Sequence, residues 1–139
     1  MEKGIMLTVT ATINAPVAKV WEYWTLPEHI TQWCFASDDW HAPKATNDVS
    51  VGGNFSTTMA AKDGSFSFDF GGVYTDVRDN ELIAYTMGDG RVVRVIFTAN
   101  GNTTDIAETF EAETINPAEM QQGGWQAILN NFKKYVEAN

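Results

Sequence analysis

The residues best suited to chemistry in this sequence are few, and most lack the company that chemistry needs. Two histidines, His29 and His41, flank the single cysteine, Cys34, and Asp38. A metal centre ordinarily takes three or four nitrogen, sulfur or carboxylate ligands, and these four show no recognised ligand spacing. They read as solvated or capping residues, with Cys34 a small buried hydrophobe, so no metal is expected. Ser65 and Ser67 have no nucleophile-elbow motif around them. Gly52-Gly53 is followed by neither Lys-Ser nor a helix, Gly71-Gly72 sits within a strand pattern, and Gly88-Asp89-Gly90 reads as a hairpin turn. No phosphate loop is present, and no cofactor is expected.

Charged residues set within apolar alternation say more. Arg94 shares parity with Val92 and Ile96, and Glu108 with Ile106 and Phe110. On adjacent antiparallel strands Arg94 and Glu108 are expected to pair. Two settings stay open for them. One is an ion pair on the solvent face. The other is an interior cavity, where one orients a polar ligand group or serves as acid or base. Asp69 and Asp76 have opposite parity and cannot form a carboxylate pair on one face. An enzyme would draw on Tyr74, Tyr85, Arg94 or Glu108; none is assigned a catalytic role.

Positioning these groups falls to elements with clear periodicity. Ile5 to Ile13 alternates with period two, the mark of a half-buried antiparallel strand. Asn14 and Pro16 suit a helix start, and Val17, Val20, Trp21 and Trp24 recur at helical spacing. Pro27 interrupts that helix, and Glu28 to Trp33 follows as a second short helical stretch. Ala36 to Asp48 is irregular, with a short strand around Trp40. Phe55, Thr57 and Met59 then share one face, and Asp63-Gly64 signals a hairpin. Phe66, Phe68, Phe70, Gly72 and Tyr74 share the next face. Strands over Glu81 to Met87, Arg91 to Ala99 and Thr103 to Glu111 follow, the last two joined around Asn100-Gly101-Asn102. From Pro117 the period changes: Met120, Trp125, Ile128, Leu129, Phe132, Tyr135 and Val136 form one helical stripe, with Asn116 placed to cap it. Gly123-Gly124 costs that helix about 1 kcal/mol per residue relative to Ala, which implies a close approach by a neighbour.

Strand-helix-strand crossovers are absent after the first strand, which excludes a doubly wound parallel sheet. The expected fold class is α+β: a curved antiparallel sheet wrapped around a long C-terminal helix, with two short helices after strand 1. Residues 1–139 are read as one domain, a size that buries roughly two-thirds of its unfolded surface. The formal charge of −9 weighs against nucleic acid and anionic lipid as partners. No apolar run is long enough to span a bilayer. Met1 to Gly4 lacks the basic start of a signal peptide, and one cysteine allows no intrachain disulfide. A cytoplasmic protein is expected.

The ordered segments A-P-V-A-K-V-W (Ala15–Trp21), T-L-P-E-H-I-T-Q-W (Thr25–Trp33), V-G-G-N-F (Val51–Phe55), F-D-F-G-G-V-Y (Phe68–Tyr74), E-L-I-A-Y-T (Glu81–Thr86) and G-G-W-Q-A-I-L-N-N-F (Gly123–Phe132) carry a resemblance. Together they resemble the family named after the activator of the heat-shock protein 90 ATPase, in the START-like (SRPBCC, birch-pollen-allergen-like) superfamily. That resemblance implies a helix-grip fold. Members of the superfamily bind lipids, hormones, polyketides or partner proteins, and some catalyse cyclisation in the same cavity. The eukaryotic activator carries a further N-terminal domain for which this sequence has no room, a departure that weighs against a co-chaperone role.

A single helix laid across a curved sheet leaves space beside it. The expected cavity lining is Phe55, Met59, Phe66, Phe68, Phe70 and Tyr74 from the sheet. Met120, Trp125, Ile128, Leu129 and Phe132 face them from the helix, and Trp33 and Trp40 stand near the entrance. The leading expectation is a protein that binds an apolar small molecule (a lipid, polyketide or aromatic metabolite) there. The alternatives are a cofactor-free cyclase or hydrolase using that cavity, and a chaperone-associated interaction module.

Overall fold

The computed structural model describes residues 5–139; the reading of Met1 to Gly4 lies outside them. Seven strands form one antiparallel sheet: β1 (Met6–Ile13), β2 (Trp40–Asn47), β3 (Asn54–Ala61), β4 (Ser67–Arg78), β5 (Leu82–Met87), β6 (Val92–Asn100) and β7 (Thr103–Glu111). Their order across the sheet is β1-β7-β6-β5-β4-β3-β2. Helices α1 (Val17–Thr25) and α2 (Pro27–Trp33) follow β1, and α3 (Ala118–Ala138) closes the chain. This is the α+β helix-grip arrangement, with a long C-terminal helix held by a curled sheet.

The strand parities translate directly into burial. In β6, Val93, Val95 and Phe97 are buried while Val92, Arg94 and Ile96 are exposed. In β7, Thr104, Ile106, Glu108 and Phe110 take the inner face. The region around Trp40 is a full eight-residue edge strand, not a short one. Its Pro43 sits where β2 shifts register against β3, between His41 and Lys44, as suits a residue without an N–H to donate.

Helix α3 is held to the β1 edge by three side chains on one of its faces. Gln122 donates to the Thr8 carbonyl at 3.0 Å, Gln126 to the Thr10 carbonyl at 3.0 Å, and Lys133 to the Thr12 carbonyl at 2.6 Å. Edge-strand carbonyls that would otherwise be open to another chain thus fix where the helix lies. Its C-terminal half is buried deeply through Leu129, Phe132 and Val136.

Three local expectations are corrected. Asn14 does not cap α1: Pro16 holds that position without a side-chain cap, and the Asn14 N–H donates to the Glu137 carboxylate at 2.8 Å. Asn116 does not cap α3, which starts after Pro117; its N–H and side-chain amide both donate to Glu113. No other described part of the chain approaches Gly123 or Gly124, because a Cβ at either would meet no atom within 4 Å beyond the helix's own backbone. Their side of the helix faces open space.

Candidate functional site

With α3 drawn toward β1, the concave face of the sheet between β3 and β5 is left incompletely covered. A cavity of about 280 Å³ lies there, bounded by the sheet, by α2 and by the first half of α3. Pairing of Met59 with Phe68, Thr57 with Phe70 and Phe55 with Gly72 aligns one inward-facing row across β3 and β4. Tyr74 pairs with Tyr85 to continue it into β5. The rings meet edge to face or tilted: Phe55 and Tyr85 have centroids 4.7 Å apart, and Phe70 meets Trp125 of α3 at 5.9 Å and 84°. Such geometries favour aromatic pairs beyond the area they bury.

The structure brings together Trp33, Phe55, Met59, Phe68, Phe70, Tyr74, Trp125 and Ile128 around this space. Five expected lining residues lie elsewhere. Phe66 precedes β4 and is 59% exposed, and Trp40 packs edge-on against Phe66 and Phe68 outside the cavity. Met120, in the first turn of α3, is 63% exposed. Leu129 and Phe132 belong to the solid core, where Phe132 packs against Trp24 at 4.9 Å and Trp33 at 4.8 Å. An apolar stripe marks a helix's inward face but does not say where along it packing is complete.

Other lining residues are Trp24, Ile30, Cys34, Asn47, Thr57, Ile83, Tyr85, Arg91, Glu108, Glu113 and Gln121. Strand parity could have supplied Thr57 and Ile83. Asn47 carried no signal in the sequence. It ends β2, donates to the Thr25 carbonyl at 2.7 Å and accepts from the Tyr74 hydroxyl at 2.5 Å.

Arg94 and Glu108 do not pair. Arg94 stands opposite Thr109 and Glu108 opposite Val95, so the two side chains project from opposite faces of the sheet. Arg94 is exposed and Glu108 is buried at 7% exposure, on the cavity wall. Burial among apolar groups pushes the Glu108 carboxyl up to about 8. Burial, with Glu108 adding to it, pushes the Cys34 thiol up to about 12. The Tyr85 phenol is raised for the same two reasons.

The histidines and the cysteine do not assemble. Cys34 is buried, and His29 stacks on Tyr23 at 4.0 Å with its Nδ1 2.7 Å from the Tyr135 hydroxyl. Among the described residues, no three His, Cys, Asp or Glu side chains are grouped to hold a metal ion. No described helix is long and apolar enough to cross a membrane.

Residues 14–137 match the family described as Activator of Hsp90 ATPase homolog 1-like protein. A solution structure from Cytophaga hutchinsonii is 59% identical, with a TM-score of 0.80 over 98% of this chain and 93% of that one. The solution structure of the AHSA1-like protein from Aeromonas hydrophila is 44% identical, with a TM-score of 0.91 over 96% of this chain and 93% of that one. A crystal structure from Nitrosomonas europaea, 16% identical with a TM-score of 0.82 over 99% of this chain and 97% of that one, shares the fold. No curated protein matches.

Proposed function

This chain belongs to the Activator of Hsp90 ATPase homolog 1-like family, and from that premise we propose that it is a single START-like domain that binds an apolar small molecule, of lipid, polyketide or aromatic-metabolite type, between the sheet and α3. The observation that carries this reading is the aromatic-lined cavity of about 280 Å³, close to the smaller pockets that hold small ligands. Each Å² of apolar ligand surface withdrawn from water there is worth about 25 cal/mol. The reading includes residence in the cytoplasm.

Binding is favoured over a cyclase or hydrolase by what the polar groups do. The Tyr74 hydroxyl is committed to Asn47, and no described side chain hydrogen-bonds to Glu108 to form an acid–base pair with it. An unfilled interior likewise favours a ligand over a chaperone-associated module, which would need no cavity. Titration with an environment-sensitive apolar dye, alongside native mass spectrometry of the freshly purified protein, tests the proposal. Saturable one-to-one binding at micromolar concentration, competed by a co-purified molecule, is the expected result. Absence of binding by any apolar probe would remove the small-molecule reading and leave the interaction module.

A further inference from the structure

Within the apolar cavity one acidic group stands without a partner. Glu108 lies on β7 and Tyr85 on β5, on either side of β6. Val95 pairs with both Glu108 and Ile83, and Val93 with both Tyr85 and Phe110. The two side chains therefore emerge on the same concave face, and both line the cavity. Neither the Glu108 carboxyl nor the Tyr85 hydroxyl is hydrogen-bonded to any described residue. Yet no fully enclosed side-chain polar atom lacks a partner among those residues, so what these two leave unsatisfied opens onto the cavity. A carboxyl placed there without a partner costs stability, and a ligand group can offset that cost.

The surroundings decide which group. Among the described residues Arg91 is the cavity's one cationic lining residue, and its Nε is already 2.7 Å from an Asp89 carboxylate oxygen. The other charged lining residue besides Glu108 is Glu113, and the whole chain carries −9. An anionic headgroup would meet the charge of Glu113 and oppose ionisation of Glu108, whereas a cation favours the ionised Glu108 and enters a wall that includes Trp33, Phe55, Phe70, Tyr85 and Trp125, rings whose quadrupoles attract positive charge. We propose that the ligand is an apolar amine, a largely hydrophobic molecule whose protonated nitrogen lies against Glu108 beside the Tyr85 hydroxyl. This rests on the small-molecule reading above and gives it a chemical class.

Binding then carries a proton signature. In the empty cavity Glu108 holds its proton at neutral pH; an incoming ammonium favours the carboxylate, and that proton leaves to solvent. The other titratable groups facing the space do not interfere. Tyr74, Tyr85 and Cys34 are all raised by burial and stay neutral. Glu113, held below its ordinary range by the Asn116 backbone N–H, stays charged; α3 contributes only Gln121, Trp125 and Ile128 to the wall.

Three probes with one ring skeleton separate the outcomes: naphthylethylamine, naphthylethanol and naphthylacetic acid, titrated calorimetrically into the full chain. The amine is expected to bind about tenfold or more tightly than the alcohol, and the acid most weakly, as one charge-assisted contact provides. Amine affinity should rise between about pH 5 and 8 with release of about one proton, while alcohol affinity stays flat. In Glu108→Gln the amine should fall to the level of the alcohol, with alcohol binding retained as the sign of an intact cavity. Alcohol binding with no preference for the amine in wild type would overturn the proposal and leave the cavity reading standing. If none of the three binds, both fall. The wild-type comparison decides the matter even if the variant does not fold.

Discussion

Phe110 of β7 and Trp125 of α3 lie face to face, with ring centroids 4.0 Å apart and planes 5° from parallel. This stack joins the inner strand face to the helix at the cavity's edge, so one Trp serves both the core and the cavity wall. Phe110 is fully buried and Trp125 partly so.

Trp125→Ala should therefore cost about 3 kcal/mol, the lower end for truncating a large aromatic, and lower the melting temperature by roughly 10 °C. Thermal unfolding followed by circular dichroism checks this. A shift of a degree or two would show that the stack contributes little.

Glu108 makes stability depend on pH in an unusual direction. Its folded value of about 8 stands above the ordinary carboxyl value, so the folded state binds the proton more tightly than the unfolded chain does. This contribution is fully present below about pH 4, falls as pH rises, and is gone above about pH 8, a loss on the order of 5 kcal/mol. Glu108→Gln removes that slope. Urea unfolding of both proteins across this range should show the wild type losing more stability than the variant as pH rises; parallel curves would show that Glu108 is not held neutral by the fold.

How far these features were legible depends on which residue is asked about. The strands and α3 followed from periodicity, because inward and outward residues alternate as the pleat demands. The partner of Glu108 did not, although its parity with Ile106 and Phe110 set its face. Pairing it with Arg94 presumed a three-residue loop over Asn100-Gly101-Asn102, but Asn100 pairs with Thr103 and Gly101 takes a φ of 65° in a two-residue turn. One residue of loop flips every partner to the other face. The position of the cavity along α3 was hidden for another reason. Trp125 and Leu129 share one stripe, but which of them meets empty space depends on the hydrogen bonds from Gln122, Gln126 and Lys133 to β1. Those polar residues sit off the stripe, and apolar periodicity does not register them.

The glycines give opposite expectations for one substitution. A Cβ at Gly71 would stand 2.4 Å from the Phe55 carbonyl oxygen, which belongs to the paired strand and cannot swing aside. Gly71→Ala should destabilise by about 3 kcal/mol through overpacking. Gly123→Ala meets nothing within 4 Å and should stabilise α3 by about 1 kcal/mol. Chemical denaturation of the two variants side by side reads both signs; equal effects would contradict the backbone packing described for β4.

The central claim, that the space beside α3 receives an apolar ligand, is tested most directly by NMR titration of the isotope-labelled protein with naphthylethanol. Shifts are expected at the Trp125 and Trp33 indoles and along Phe55, Phe70 and Tyr85. Ile128→Trp, which fills the wall without touching the Leu129 and Phe132 core, should weaken binding about tenfold or more while the fold survives. Shifts confined to the outer sheet face around Val73, Val92 and Ile96, or unchanged affinity in Ile128→Trp, would contradict it.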